Sequence, residues 1–215
     1  MEKGIKTNSE GVIMKKILVW DLPTRIGHWL LAASFALAWA TSESEEWRLI
    51  HVAAGYTMAA VLVFRVFWGI AGTRYARFFS FLYSPRQALD YVVGLLRGEK
   101  THWVGHNPAG SYAIYFLLLL GFAAVGSGWA AYNELGGEWF EELHEGIAAV
   151  MLIVVGVHVA GVVASAAMHR ENLVKSMIDG YKNGRSEEAI SSSKKLWALL
   201  LLGFAGWAAT TVFLP

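Results

Sequence analysis

Five stretches of the chain are long apolar runs: 26–40, 49–72, 110–132, 146–168 and 196–214. A bilayer core takes roughly 20 mostly apolar residues to cross, so four of the runs fit directly and the first fits if it extends into its flanks. None alternates polar with apolar residues as a barrel strand does, and backbone in lipid must satisfy its own hydrogen bonds, so the runs predict helices. A different pattern separates the second and third runs. From Ser84 the sequence SPRQALDYVVGLLRG offers an N-cap serine and a proline in the first turn. Ala88, Val92, Leu95 and Leu96 form an apolar stripe, ended by Gly98. The stretch 84–97 reads as an amphipathic helix lying in the inner membrane interface, and 171–184 as a weaker version. Residues 1–14 read as a polar tail and 184–195 as a linker. The expected fold is therefore an all-α integral membrane protein: a four-helix transmembrane bundle within 15–183, with a fifth transmembrane helix over 196–215.

Composition agrees. The chain is 55% hydrophobic and only 16% charged, against about 25% charged in an ordinary soluble domain. There is no cysteine, which excludes disulfides, cysteine-ligated iron–sulfur clusters and covalent C-x-x-C-H haem attachment within this chain. Lys15 and Lys16 resemble the start of a secretory leader, but Asp21, Pro23 and Arg25 break the apolar stretch that such a leader needs. Met14 is an alternative start to Met1. No nucleic-acid partner is expected.

Charge orients the helices. Residues 1–27 carry five lysines and arginines, 73–109 carry five and 169–195 carry six, whereas the 41–48 loop has only Arg48 and the 133–145 loop has none. By the positive-inside rule the amino terminus is cytoplasmic, and with five spans the carboxyl terminus lies outside. The outer loops are acidic, with Glu43, Glu45 and Glu46 in one and Glu134, Glu138, Glu141, Glu142 and Glu145 around the other. They read either as solvated loops or as a docking surface for a basic partner.

Seven histidines remain. His102, His106 and His169 lie in basic connections or at a helix end, where surface or structural roles are common. The other four match in depth. His28 is near the inner end of the first run and His51 at the outer start of the second. His144 and His158 are fourteen residues apart on the fourth, about 21 Å of rise and close to four whole turns, so they share one face. Depth pairs His51 with His144 outside and His28 with His158 inside. Ionisable groups within a membrane are costly and point to function. Zinc wants four ligands, and the spans supply no carboxylate or thiol beside these imidazoles. Haem needs only two axial ligands, and two imidazoles give a closed site suited to electron transfer. Gly55, Gly146, Gly156 and Gly161 near these histidines could open space for a flat ring or serve ordinary helix packing. Arg25, one turn before His28, and Arg65, fourteen residues after His51, are candidates for haem propionates, with snorkelling to the headgroups the alternative for Arg65.

The motifs WDLPTRIGHW, HVAAGY and GHNPAGS, with the His144/His158 pair, resemble the bacterial cytochrome b561 and nickel–iron hydrogenase b-type cytochrome family over roughly residues 15–180. The resemblance implies two non-covalent b-haems in a four-helix core, the inner one ligated by His28 and His158 and the outer by His51 and His144. The fifth helix is a departure from the smallest members; without a histidine, it reads as a packing or partner-contact helix. Electrons would pass between the quinone pool and a periplasmic redox partner, a c-type cytochrome or a hydrogenase-like enzyme. A stand-alone superoxide:quinone oxidoreductase is the alternative. A histidine-relay transporter is disfavoured, because neither broken helices nor inverted repeats are evident. For a quinone, His106 and Asn107 are candidates on the inner side, since Pro108 biases Asn107 away from helix and leaves both side chains free to point at the bilayer interface; the competing reading has them cap the third helix and cover a propionate.

Overall fold

In a computed structural model that describes residues 6–7, 13–99, 101 and 103–214, the chain is nearly all helix. Helix α1 (Leu22–Ala40) starts before the apolar run, because Asp21 caps it and Pro23 occupies its first turn. There the missing N–H costs no hydrogen bond. Helix α2 (Arg48–Ala71) comes after a short outer turn. Helix α3 (Pro85–Leu96) is closed at its start by a capping box between Ser84 and Gln87. Helix α4 (Pro108–Tyr132) begins at Asn107, whose Oδ1 accepts from the Gly110 amide at 2.7 Å. A link of a few residues then reverses the chain, with positive φ at Glu134, Gly136 and Gly137. Helix α5 (Glu138–His169) is 32 residues long. It starts well before the expected 146, so His144 lies inside the helix. A short helix α6 (Leu173–Asp179) lies at the inner end, and helix α7 (Lys195–Thr210) ends the bundle.

Among the described residues, four helical segments are long and apolar enough to cross a membrane: Glu45–Ala71, Pro108–Tyr132, Glu138–His169 and Lys195–Phe213. Helix α1 is not among them. It has 19 residues, but Pro23, Arg25 and His28 fill its first turns and lower its apolar character.

Helix α1 packs on α2 and α7, α2 also packs on α4, and α4 packs on α5 and α3. The best-buried cluster is Ala60 and Val61 of α2 with Leu201, Ala205 and Ala208 of α7, against which Ile26, Leu30 and Leu31 of α1 rest. Small residues let these helices approach closely, which matters in lipid, where dispersion contacts rather than water exclusion hold helices together. The fifth long helix is thus part of the bundle, behind the α1–α2 pair. Helix α5 rests on α4, and its rings approach α1 and α2 at two histidine pairs.

The inner end departs from a purely helical reading. Strand β2 (Ile13–Leu18) pairs antiparallel with β1 (Lys6–Thr7) on one side and β3 (Tyr181–Gly184) on the other, with Leu18 opposite Tyr181. The amphipathic stretch expected over 171–184 is instead α6, a turn at Gly180 and then β3. Gly180 has φ +88°, and a side chain there would meet the Trp20 carbonyl at 2.7 Å. The polar tail supplies β1 and the start of β2. The 184–195 stretch is held down by hydrogen bonds from the Ile190 amide to the Leu18 carbonyl and from the Leu22 amide to the Ser193 carbonyl, each 2.9 Å.

Candidate functional site

The four depth-matched histidines meet two by two. His28 of α1 and His158 of α5 have ring centroids 6.5 Å apart. His51 of α2 and His144 of α5 have centroids 6.0 Å apart. A metal–imidazole bond is about 2 Å and each ring centre lies about 1.1 Å behind its nitrogen, so two axial imidazoles on one iron have centroids about 6.3 Å apart. Both pairs match that span. Among the described residues no group of three or more His, Cys, Asp or Glu could hold a metal, so the donor set suits an ion that needs only two protein ligands.

The outer pair is oriented through its second nitrogens. His51 Nδ1 lies 2.8 Å from the Ala38 carbonyl of α1, and His144 Nδ1 lies 2.9 Å from the Ala124 carbonyl of α4. A carbonyl only accepts, so both rings carry their proton on Nδ1 and leave Nε2 free to ligate. Gly128 makes this possible for His144: a Cβ at that position would lie 2.8 Å from the ring's Cε1. No local sequence signal marks Gly128, since its partner is on another helix. Around Gly55, Gly146, Gly156 and Gly161 a Cβ would meet no heavy atom within 4 Å.

The inner end is built on Asp21. This buried carboxylate accepts from the Thr24 amide at 2.8 Å, from Trp68 Nε1 at 3.1 Å and from the Thr73 hydroxyl at 2.5 Å. It ties the start of α1 to the end of α2. An aspartate just before Leu-Pro is a helix-start signal, but its long-range partners are invisible in the sequence. Arg25 donates from Nη1 to the Ile178 carbonyl, and Trp29 Nε1 donates to the Met177 carbonyl at 2.9 Å, so α1 is clamped to the carbonyl end of α6. The Arg65 guanidinium lies 4.6 Å from the centre of the Phe78 ring, and its Nη1 is buried without a partner.

His106 is enclosed between Trp20 and Phe81, with centroids 4.6 and 4.4 Å away, rather than turned to the bilayer interface. Burial, then the nearby Arg65 and Lys182 charges, push its pKa down to about 3, so the ring is neutral and not a ready proton source. Asn107 spends its side-chain oxygen on the α4 cap. Lys182 of β3 pairs with Glu171 at 3.4 Å and donates to the Trp103 carbonyl at 2.8 Å; burial lowers its pKa and Glu171 opposes that shift. His169 lies by the Ser165 and Thr101 carbonyls. His102 lies outside the described residues.

Fold and site together define a membrane helical bundle organised around paired imidazoles. The chain belongs to the prokaryotic cytochrome b561 family, whose model matches residues 19–180. It is similar to proteins described as "Probable Ni/Fe-hydrogenase B-type cytochrome subunit". The one from Rhodobacter capsulatus is 23% identical, covering 80% of this chain and 83% of its own length. That from Rhizobium leguminosarum bv. viciae is 27% identical, covering 87% and 94%, and that from Azotobacter vinelandii 26%, covering 85% and 96%. No solved structure matches. The chain is thus a haem-binding membrane cytochrome of the b type that serves electron transport.

Proposed function

We propose that the chain holds two non-covalent b-haems, one between His28 and His158 and one between His51 and His144, and carries electrons across the membrane between the quinone pool and a redox enzyme on the periplasmic side. The observation that carries this reading is the pair of centroid separations, 6.5 and 6.0 Å, on two levels of one helix. A b-haem held by either histidine pair would supply one-electron transfer. The protein's part is to aim and insulate. The Ala38 and Ala124 carbonyls fix the His51 and His144 rings. The fourteen-residue spacing on α5 sets the two sites about 21 Å apart along the helix. At the inner end, the α6 clamp and the β2–β3 pairing cover the bundle from the cytoplasm.

The charge distribution supports a cytoplasmic amino terminus. The relatives' names support a hydrogenase-like partner, which would reach the outer site past the acidic α4–α5 loop. The test is haem stoichiometry with single variants. Purified wild-type protein is expected to give two haems per chain, all extracted by acid–acetone. His51→Ala and His144→Ala should each lose one haem and leave the same surviving potential; His28→Ala and His158→Ala should leave the other. A wild-type ratio near one, or His28 and His144 variants that behave alike, would overturn the reading.

A further inference from the structure

The described residues contain six buried side-chain polar atoms without a hydrogen-bond partner: Thr24 Oγ1, Arg25 Nε, His28 Nδ1, Arg65 Nη1, Trp103 Nε1 and His106 Nδ1. All belong to the inner end of the bundle. Such orphans are costly, so native proteins rarely leave several together. Three of the six, on Arg25, Arg65 and Trp103, can only donate. What would satisfy them is an acceptor-rich, anionic group, and the nearby carboxylates of the chain are engaged elsewhere. Asp21 is spent on Thr24, Trp68 and Thr73, and Glu171 faces Lys182. Arg25 has part of its fork on the Ile178 carbonyl. Arg65 has no ion pair within 4 Å among the described residues, and it is the foremost charge acting on His106.

We propose that Arg65 and His106 form a carboxylate site that takes a propionate of the inner haem, with Trp103 as a neighbouring donor from the same connection. This rests on the reading that His28 and His158 hold that haem. The site is preorganised. Phe78 supports the guanidinium, and Trp20 and Phe81 hold the imidazole on both sides. The Tyr83 hydroxyl donates to the His106 carbonyl at 3.2 Å and Lys182 to the Trp103 carbonyl at 2.8 Å, which fixes the backbone that carries both side chains. A neutral quinone would leave the Arg65 charge unbalanced; a propionate neutralises it. The connection before α4 would thus serve the cofactor rather than a substrate facing the bilayer.

The test uses the intact, haem-loaded protein with carbon-13 in the haem propionates. Two readouts are taken: the two midpoint potentials and the redox-difference infrared bands of the labelled carboxylates. A cation near the iron favours the reduced form. Arg65→Gln is therefore expected to weaken reduction of the inner haem about tenfold, or about 59 mV for one electron, with the outer haem unmoved. Arg65→Lys should restore most of that loss. His106→Phe, which keeps the ring between Trp20 and Phe81, should shift the labelled bands while both haems stay bound. Wild-type potentials and bands in Arg65→Gln and His106→Phe would overturn the proposal. So would an inner haem lost from Arg65→Gln that Arg65→Lys does not bring back. If instead the wild-type protein lacked an inner haem, the two-haem reading itself would fall.

Discussion

Gly128 does at the outer site what no other residue could do. With the His144 ring so close to where a Cβ would sit, a larger side chain must push the imidazole off its Ala124 hydrogen bond. On the two-haem proposal, Gly128→Val is expected to lower the haem ratio from two toward one, with the inner potential retained; redox titration of the purified variant checks this. Asp21 is the corresponding anchor inside. Asp21→Ala removes a helix cap and strands Trp68 Nε1 and the Thr73 hydroxyl, a loss of about 2–4 kcal/mol. Thermal denaturation should show a lower midpoint, with the inner haem released first. These two residues also mark what is legible at this scale. Asp21 announces its cap through the nearby Pro23, because capping is local. Gly128 announces nothing, because its reason is a ring on another helix.

Among the elements, α5 and α7 carry most of the design. Helix α5 presents His144 and His158 on one face, and a fixed helical rise is enough to place them at two depths. Its start at Glu138 is not legible in the apolar pattern, because a glutamate-rich first turn does not resemble a span. Such residues still favour a helix amino terminus, where acidic side chains complement the dipole. Helix α7 looks separable in sequence, yet Leu201 and Ala205 are buried against Val61 and its neighbours on α2. Ala205→Phe is expected to cost about 1–3 kcal/mol by overpacking. Because α7 packs behind α1 and α2 rather than on α5, the variant should keep the wild-type haem content and lose heat stability, which haem absorbance during a thermal ramp would separate. The short strands at the inner end are hidden in the sequence for a simple reason. A two- to six-residue strand gains its identity from its partner, and β2 and β3 come from opposite ends of the bundle's chain.

For the whole molecule, charge and apolar pattern together predict orientation. A reporter active only in the periplasm, fused after residue 215, should be active, and one active only in the cytoplasm should be silent. The reverse would mean that one long helix does not cross; α1, the least apolar of the five, would be the first suspect. The medium, the helices and the depth of each histidine are all written along the chain, because apolar runs, capping residues and a constant rise per residue are one-dimensional facts. The absence of cysteine likewise rules out a thioether bond from this chain to a haem. Azimuth is not written there: which face of each helix meets which neighbour depends on tilts and crossings fixed by packing among distant residues. Packing in three dimensions brings the rings to 6.5 and 6.0 Å and folds α7 in behind α1 and α2. It also encloses His106 between two aromatic rings instead of facing it to the bilayer.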